Sequence, residues 1–411
     1  MHLHPILSAL LRNKTGPLLV AVQVALSLAI LANALHIVQV RQTVASRPSG
    51  LASEADVFSI KVRHLEPRSH QAQLDEQRRE TAALRAVAGV QSVAYTTQMP
   101  LSRSGNYTSV SLDRKQVTSS AAVTTYYSPD SLIHTWGLQL VEGRDFQPSE
   151  VPEVDTNTSK DFPHSVIITR SLGQKLWPNA SNYLGKTIYY GVGPNTSELR
   201  VVGVVARLQT PGAANAEGAE FSMLLPVRLT GDDASTYTVR TEPGQRERVM
   251  QESEAALRKS SVLPVITRLQ AISELRRDRY RADQALAWML VTVSVLLLLI
   301  TASGIVGMAS LWVTQRRKQI GVRRALGARR SDILRYFIAE NLLITSAGVV
   351  AGVLLALALN QLLVSQLEMP RLPAGYLLAG AALLWTLGVA AVYGPAWRAA
   401  SISPATATRS T

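Results

Sequence analysis

Four uncharged stretches, residues 16–40, 284–315, 341–367 and 372–397, constrain this chain more than any other feature. Each exceeds the ~20 residues that an apolar helix needs to cross a bilayer. A chain with four such runs is a membrane protein, and an even number of spans returns both termini to one side. Between the second and third runs lies a basic loop, residues 315–335, with eight Lys/Arg and one acid, Asp332. A loop this short and this basic stays cytoplasmic, which fixes the orientation of everything around it. The charges agree: Arg12, Lys14, the loop, Arg398 and Arg409 place 12 bases on that side against Asp332 and Glu340, leaving 30 bases and 27 acids outside. The net charge of +13 is a topology signal and implies no nucleic-acid partner.

The loop has a predicted shape. Gly321 and Gly327 should interrupt the helix and set off a short piece at 322–326. Ser331 is expected to cap the next helix, with Asp332 in its first turn. A small helix on two glycine joints, with Arg323 and Arg324 beside Ala325 and Leu326, would plug a groove on a soluble partner. The plainer reading of the same composition is a basic turn that anchors two spans to anionic headgroups.

The run Ile320-Gly321-Val322-Arg323-Arg324-Ala325-Leu326-Gly327-Ala328-Arg329-Arg330, followed by Asp332-Ile333, resembles the signature of MacB/FtsX-type ABC transporter permeases of the mechanotransmission class (type VII). In that family the loop is a coupling helix that docks on the ATPase. The resemblance implies an ATPase-docking site at Gln319, Ile320, Gly321, Val322, Arg323, Arg324, Ala325, Leu326, Gly327 and Ala328. The family usually has Glu before Ile-Gly; Gln319 here removes that charge, a departure expected where two non-identical permeases share a dimer. Glu340 matches a family position and is a candidate functional acid, although an acid in the first turn of a helix is equally well explained by the helix dipole. Pro395-Ala396-Trp397-Arg398-Ala399-Ala400, with Pro404, Ala405 and Arg409, is similar to the family's tail, and Trp397 and Arg398 suit interface anchors.

Residues 41–283 form the large insertion between the first two spans. Phe58, Ile60 and Val62 alternate with polar residues as a strand, a helical stretch runs over 71–88, and a strand follows at 90–95. The same order recurs at 237–241, 245–259 and 262–267. Two strand-helix-strand units flanking an insertion predict a split α+β layer with helices on one face. Gly143-Arg144-Asp145-Phe146, Leu184-Gly185-Lys186 and Val201-Val202-Gly203-Val204-Val205 resemble the MacB-type periplasmic core domain. The expected fold is therefore a membrane protein of four transmembrane α-helices with a large α+β periplasmic domain inserted between the first and second. In order, the segments are a cytoplasmic interfacial helix at 1–15, a span at 16–40, a porter-like subdomain at 41–125 and 209–283, an inserted β-rich subdomain at 126–208, a span at 284–315, the coupling loop at 316–335, spans at 336–367 and 372–397, and a cytoplasmic tail at 398–411. A continuous helical rod is expected over 269–320.

Ser303 and Gly307 in the second span, and Gly348 and Gly352 in the third, have the spacing that permits close helix contact. Gln23, Asn33, His36 and Gln39 in the first span are expected to avoid lipid. The chain has no cysteine, so disulfides and thiol chemistry are excluded. His2 and His4 are close but lack further ligands, and no metal site is expected. Residues 180–187 fit a relaxed phosphate-loop pattern, yet Pro178 and Asn179 stand where a buried strand should precede it and a strand pattern follows, so a plain turn is the better reading.

The resemblance implies a chain that is not an enzyme and binds no cofactor, with ATP and Mg on a separate ABC ATPase subunit. It further implies a second permease in a homodimer or heterodimer, a periplasmic adaptor and an outer-membrane channel, with efflux from the periplasm across a bacterial inner membrane. The alternative is an FtsX-like signalling scaffold that regulates a cell-wall hydrolase without transport. The sequence points to no particular substrate.

Overall fold

The computed structural model describes residues 15–103, 105–159, 161–212, 217–367 and 370–401. The expected interfacial helix up to residue 14, His2, His4, Pro404, Ala405 and Arg409 lie outside these. The chain divides into two units: residues up to Ala45 with those from Asp283 onward, and Ser46–Ala282. The first apolar run folds as α1 (Thr15–Ala45). The chain then builds β1 (Val57–His64), α2 (His70–Arg85), β2 (Val90–Tyr95), β3 (Tyr107–Ser111), β4 (Ala121–Ser128), α3 (Leu132–Trp136), β5 (Leu140–Gly143), β6 (Glu153–Asp155), β7 (Ser165–Thr169), α4 (Arg170–Leu176), β8 (Thr187–Tyr190), β9 (Ser197–Val205), β10 (Ser222–Pro226), β11 (Arg228–Thr230), β12 (Ala234–Thr241), α5 (Arg246–Ser260) and β13 (Val265–Ala271). Four helices follow: α6 (Ile272–Gln315), α7 (Arg317–Ala325), α8 (Arg330–Leu367) and α9 (Ala374–Ala400).

In the Ser46–Ala282 unit, the two strand-helix-strand repeats make an antiparallel sheet of order β13-β1-β12-β2. Phe58, Ile60 and Val62 of β1 and Tyr237 and Val239 of β12 point to one face, where they form a core with Leu84 of α2 and Val249 and Leu257 of α5. The helices bury residues at helical spacing, Leu74, Thr81 and Leu84 on α2 and Val249, Ser253 and Leu257 on α5, so one stripe of each faces the sheet. Ser69 starts α2 by accepting the Ala72 N–H at 3.3 Å.

The remaining strands form a second sheet of order β5-β9-β7-β10-β4-β3-β8. Its last strand, β8, also pairs with residues 197–200 of β9, so the ladder closes on itself. Val123, Val166, Ile168, Val201 and Met223 fill the interior. The inserted subdomain expected at 126–208 is thus too short at both ends: β3 and β4 before it and β10 after it belong to the closed sheet. Their partners are remote in sequence, which hid the membership. The motif at 143–146 has a structural role here. A Cβ at Gly143 (φ 76°) would lie 2.2 Å from the Val202 carbonyl, so only glycine closes β5 against β9. Arg144 grips Glu150 through both nitrogens at 2.7 and 3.0 Å, and the Ser165 hydroxyl donates to the same carboxylate at 2.6 Å. These bonds, the Arg144 guanidinium first, hold the Glu150 carboxyl down at about 2. The segment that matched a phosphate-loop pattern turns at Gly185 (φ 73°) and continues as β8, so no helix N-terminus faces it.

In the other unit, four helices are long and apolar enough to cross a membrane. The first, α1, packs against α8 at glycines: a Cβ on Gly348 would meet the Ala21 carbonyl at 2.7 Å, and one on Gly352 would meet Leu28 at 2.9 Å. The second span differs from expectation. Ser303 and Gly307 lie on its exposed side, with nothing within 4 Å of a Gly307 Cβ, and the close contact is made one residue on, where Gly304 meets Gln23. Two of the four polar residues of α1 that were expected to avoid lipid are buried: Asn33 Nδ2 donates to the Ala29 and Ala356 carbonyls at 2.9 and 3.1 Å, and His36 Nε2 lies 3.1 Å from the Pro370 carbonyl. Gln39 is exposed. The expected rod at 269–320 is shorter at both ends, because residues up to Ala271 extend β13 and the helix stops at Gln315. Forty-four residues still make one helix of ~66 Å.

Candidate functional site

The basic loop between the second and third spans is a helix held at three points. Arg316 (φ −98°, ψ 11°) separates α6 from α7. The turn expected at Gly321 does not occur: α7 runs through it for nine residues, and Gly321 is buried within the helix. A glycine in mid-helix signals a break only when the surrounding packing lets it, and here Ile320 is anchored beside it in the core with Ile333, Phe337 and Ala396. The break at the far end does occur. Gly327 takes φ 97°, its N–H bonds the Arg324 carbonyl at 3.2 Å, and the Ala328 N–H bonds the Arg323 carbonyl at 3.1 Å. This paired closure satisfies carbonyls that the helix end leaves open.

The next helix starts one residue earlier than the expected Ser331 cap. The Asp332 carboxylate instead reaches back to accept the Arg329 N–H at 2.9 Å, doing from inside the first turn what Ser331 was expected to do from before it.

The basic residues divide by role. Arg316 Nη1 donates to both oxygens of Glu340 at 2.9 Å, and Glu340 is 1% exposed. Arg324 Nη1 donates to the Ala400 carbonyl at 2.6 Å, placing a cation on the C-terminal end of α9, where the helix dipole favours it. The Arg323 guanidinium lies over the Tyr336 ring at 5.2 Å. Three of the loop's arginines therefore tie α7 to α8 and α9.

Arg317, Lys318, Arg329 and Arg330 remain exposed, and two apolar side chains face outward among them. Leu326 is 83% exposed and Val322, one turn before it, is 54% exposed. Gln319, Ala325 and Gly327 are also exposed and Ala328 is half-buried, whereas Ile320 and Gly321 face inward. The ten expected docking residues thus split into an outward set and an inward set. Sequence reasoning missed the Arg316–Glu340 pair and the Arg324 cap. A signal for the first existed: a single acid at the edge of an apolar run demands a base at the same depth, and Arg316 stands at the matching edge of the preceding run. Trp397 is half-exposed and stacks on Tyr393 at 6.1 Å and 18°.

Residues 23–256, more than half of the chain, match the family described as the MacB-like periplasmic core domain, and residues 291–404 match the FtsX-like permease C-terminal family. The macrolide export ATP-binding/permease protein MacB of Bradyrhizobium diazoefficiens is 32% identical over 241 residues, covering 54% of this chain and 34% of that protein. The protein of the same description from Agrobacterium fabrum is 29% identical over 315 residues, covering 72% and 44%. That from Neisseria gonorrhoeae is 26% identical over 301 residues, covering 70% and 45%. The chain spans less than half the length of these relatives.

Proposed function

The chain belongs to the family of ABC transporter permeases that join a MacB-like periplasmic core domain to an FtsX-like permease domain, and we propose that it is a non-catalytic permease chain driven by a separate ATPase docking on α7. The observation that carries this is the outward pair Val322 and Leu326 on a helix that Arg323 and Arg324 fasten to α8 and α9. Two exposed apolar side chains one turn apart are the anchors that a groove on a soluble partner would bury. ATP and Mg²⁺ would sit on that partner, whose movement would be passed through α7, across the Arg316 joint and into α6. The similar proteins are described as ATP-binding/permease proteins and are more than twice as long as their match here, which supports an ATP-binding part supplied from outside this span.

In this reading the protein lies in the bacterial inner membrane with both termini and α7 cytoplasmic and the Ser46–Ala282 unit periplasmic. It pairs with a second permease, the exposed Ser303 and Gly307 offering a close-contact surface, and works with a periplasmic adaptor and an outer-membrane channel to expel substrate from the periplasm. Co-purification of the full chain with a co-expressed candidate ATPase tests the central step. Leu326→Asp should abolish the complex and ATPase coupling while leaving thermal unfolding unchanged, since the side chain is exposed; an undiminished complex would overturn the reading. Pull-down from cell envelopes separates efflux from signalling: an adaptor supports efflux, and a peptidoglycan hydrolase recovered alone would overturn it.

A further inference from the structure

The four-stranded sheet of the Ser46–Ala282 unit has a second face, away from α2 and α5, and that face is not flat surface. Residues 97–103 cross over it and the first turns of α6 wall one side, leaving a cleft of about 380 Å³. Its charge is lopsided. Lys61 on β1 stands directly opposite Arg268 on β13 in the antiparallel register, so two cations occupy neighbouring positions on one face. Like charges at such positions repel. Arg103 adds a third, and Asp278 of α6 is the one acid lining the cleft. Among the described residues, Lys61, Arg103 and Arg268 have no ion-pair partner, whereas Asp278 accepts from Gln270 at 3.4 Å.

The overhanging segment is held in an unusual backbone. Leu101 (φ 65°) and Arg103 (φ 73°) are both left-handed without being glycine. Such residues are uncommon and persist where surrounding structure imposes them. Leu101 is fully buried and the Arg103 N–H is bonded to the Pro211 carbonyl at 3.1 Å, so the segment is pinned at the point where it carries Arg103 to the cleft. The buried Met99 and Leu275 give the same cleft an apolar wall.

A repulsive cation pair facing a cleft, a third cation brought there on strained backbone and an adjoining apolar wall are together best met by an anion with an apolar part. We propose that this cleft binds an oxyanion group, a phosphate ester in the first instance, through Lys61, Arg268 and Arg103, with an attached apolar portion against Met99 and Leu275. Phosphate oxygens accept several charge-assisted hydrogen bonds at once and relieve the Lys61–Arg268 repulsion. The site needs neither an ATPase nor a partner and goes beyond the coupling function.

Titration calorimetry on the full chain in zwitterionic nanodiscs, without ATPase, tests it with inorganic phosphate, hexyl phosphate and an uncharged hexyl glucoside. The parent should bind hexyl phosphate with an affinity that falls as salt rises, and Lys61→Gln/Arg268→Gln should weaken it by about tenfold or more. The double variant removes exposed charges that repel each other, so unchanged circular dichroism and thermal unfolding are expected alongside. Hexyl phosphate binding more tightly than inorganic phosphate supports an amphiphilic phosphate ester; equal affinities would overturn the apolar subsite at Met99 and Leu275. No binding of either phosphate, equal binding of the glucoside, or unchanged affinity in the double variant would overturn the proposal. Loss of ATPase docking has no bearing on this readout.

Discussion

Arg316 Nη1 lies 2.9 Å from each carboxylate oxygen of Glu340, so the residue that interrupts the backbone between α6 and α7 is ion-paired to the third span. The two ends differ in burial: Glu340 has a side chain 1% exposed and that of Arg316 is 23% exposed. Removing the base strands a buried carboxylate. Arg316→Met should therefore cost about 3–5 kcal/mol, and Arg316→Met/Glu340→Met should recover most of that. Thermal unfolding of the purified chain in detergent measures both. If the single and double variants unfold alike, the stranded Glu340 carboxylate is not the source of the cost.

The glycines of the second and third spans should respond in opposite directions. Gly348→Ala drives a methyl to 2.7 Å from a backbone carbonyl on α1, which cannot rotate away, and should destabilise by about 1–3 kcal/mol. Gly307→Ala meets nothing within 4 Å and should gain up to ~1 kcal/mol of helix propensity in the isolated chain. The same unfolding experiment ranks the two, and a loss at Gly307 seen only under conditions that preserve permease pairing would assign it to a contact between copies.

Acid should loosen the closed sheet first at β5. The Glu150 carboxyl titrates at about 2 in the folded protein, below its usual 4.5, because the Arg144 guanidinium and then Ser165 bond its charged form. A depressed carboxylate stabilises fully above the unfolded value and ceases to do so as pH falls from about 4.5 through 2. Amide exchange over 140–150 should accelerate in that window. Glu150→Gln should remove this pH dependence, and an acid response equal to the parent's would show that the Arg144–Glu150 bond is not its source.

Ala285 is an exposed residue of α6. Ala285→Pro deletes a helix hydrogen bond and forces a bend, costing ~3 kcal/mol or more. Membrane insertion and ATPase binding should survive, because α7 is held by α8 and α9. Spin labels on the Ser46–Ala282 units of two paired copies should then show no ATP-driven change in distance, and a change as large as in the parent would show that α6 is not the transmitting element.

Much of the architecture was readable because its causes are local. Uncharged runs give spans, and the alternation of Phe58, Ile60 and Val62 gives a strand. The closed sheet was cut at the wrong places because β4 pairs with β10, about a hundred residues later, and no periodicity in either strand announces the other. In the basic loop between the second and third spans, Gly327 behaved as its type suggests while Gly321 did not, since burial of Ile320 beside it decides for helix. Ser331 did not become the cap because the helix begins at Arg330, which leaves Asp332, expected in the first turn, to accept the Arg329 N–H. Ser303 and Gly307 have the spacing for a close contact but lie on the exposed side of α6 in this chain, because small residues mark a close contact without saying which partner makes it.

The strand order β13-β1-β12-β2 has a consequence in time. Strands β1 and β2 flank β12 and never pair with each other, so Val57–His64 and Val90–Tyr95 are made before there is a ladder for them to join. The closed sheet draws on nothing later than β10 and can form while they wait. Only when β12 emerges, followed by β13, can the first sheet zip together, and α6 follows without a break. Assembly would then begin in the middle of the unit and finish at its last strand, with the early strands open to misfolding and chaperone capture until that strand arrives.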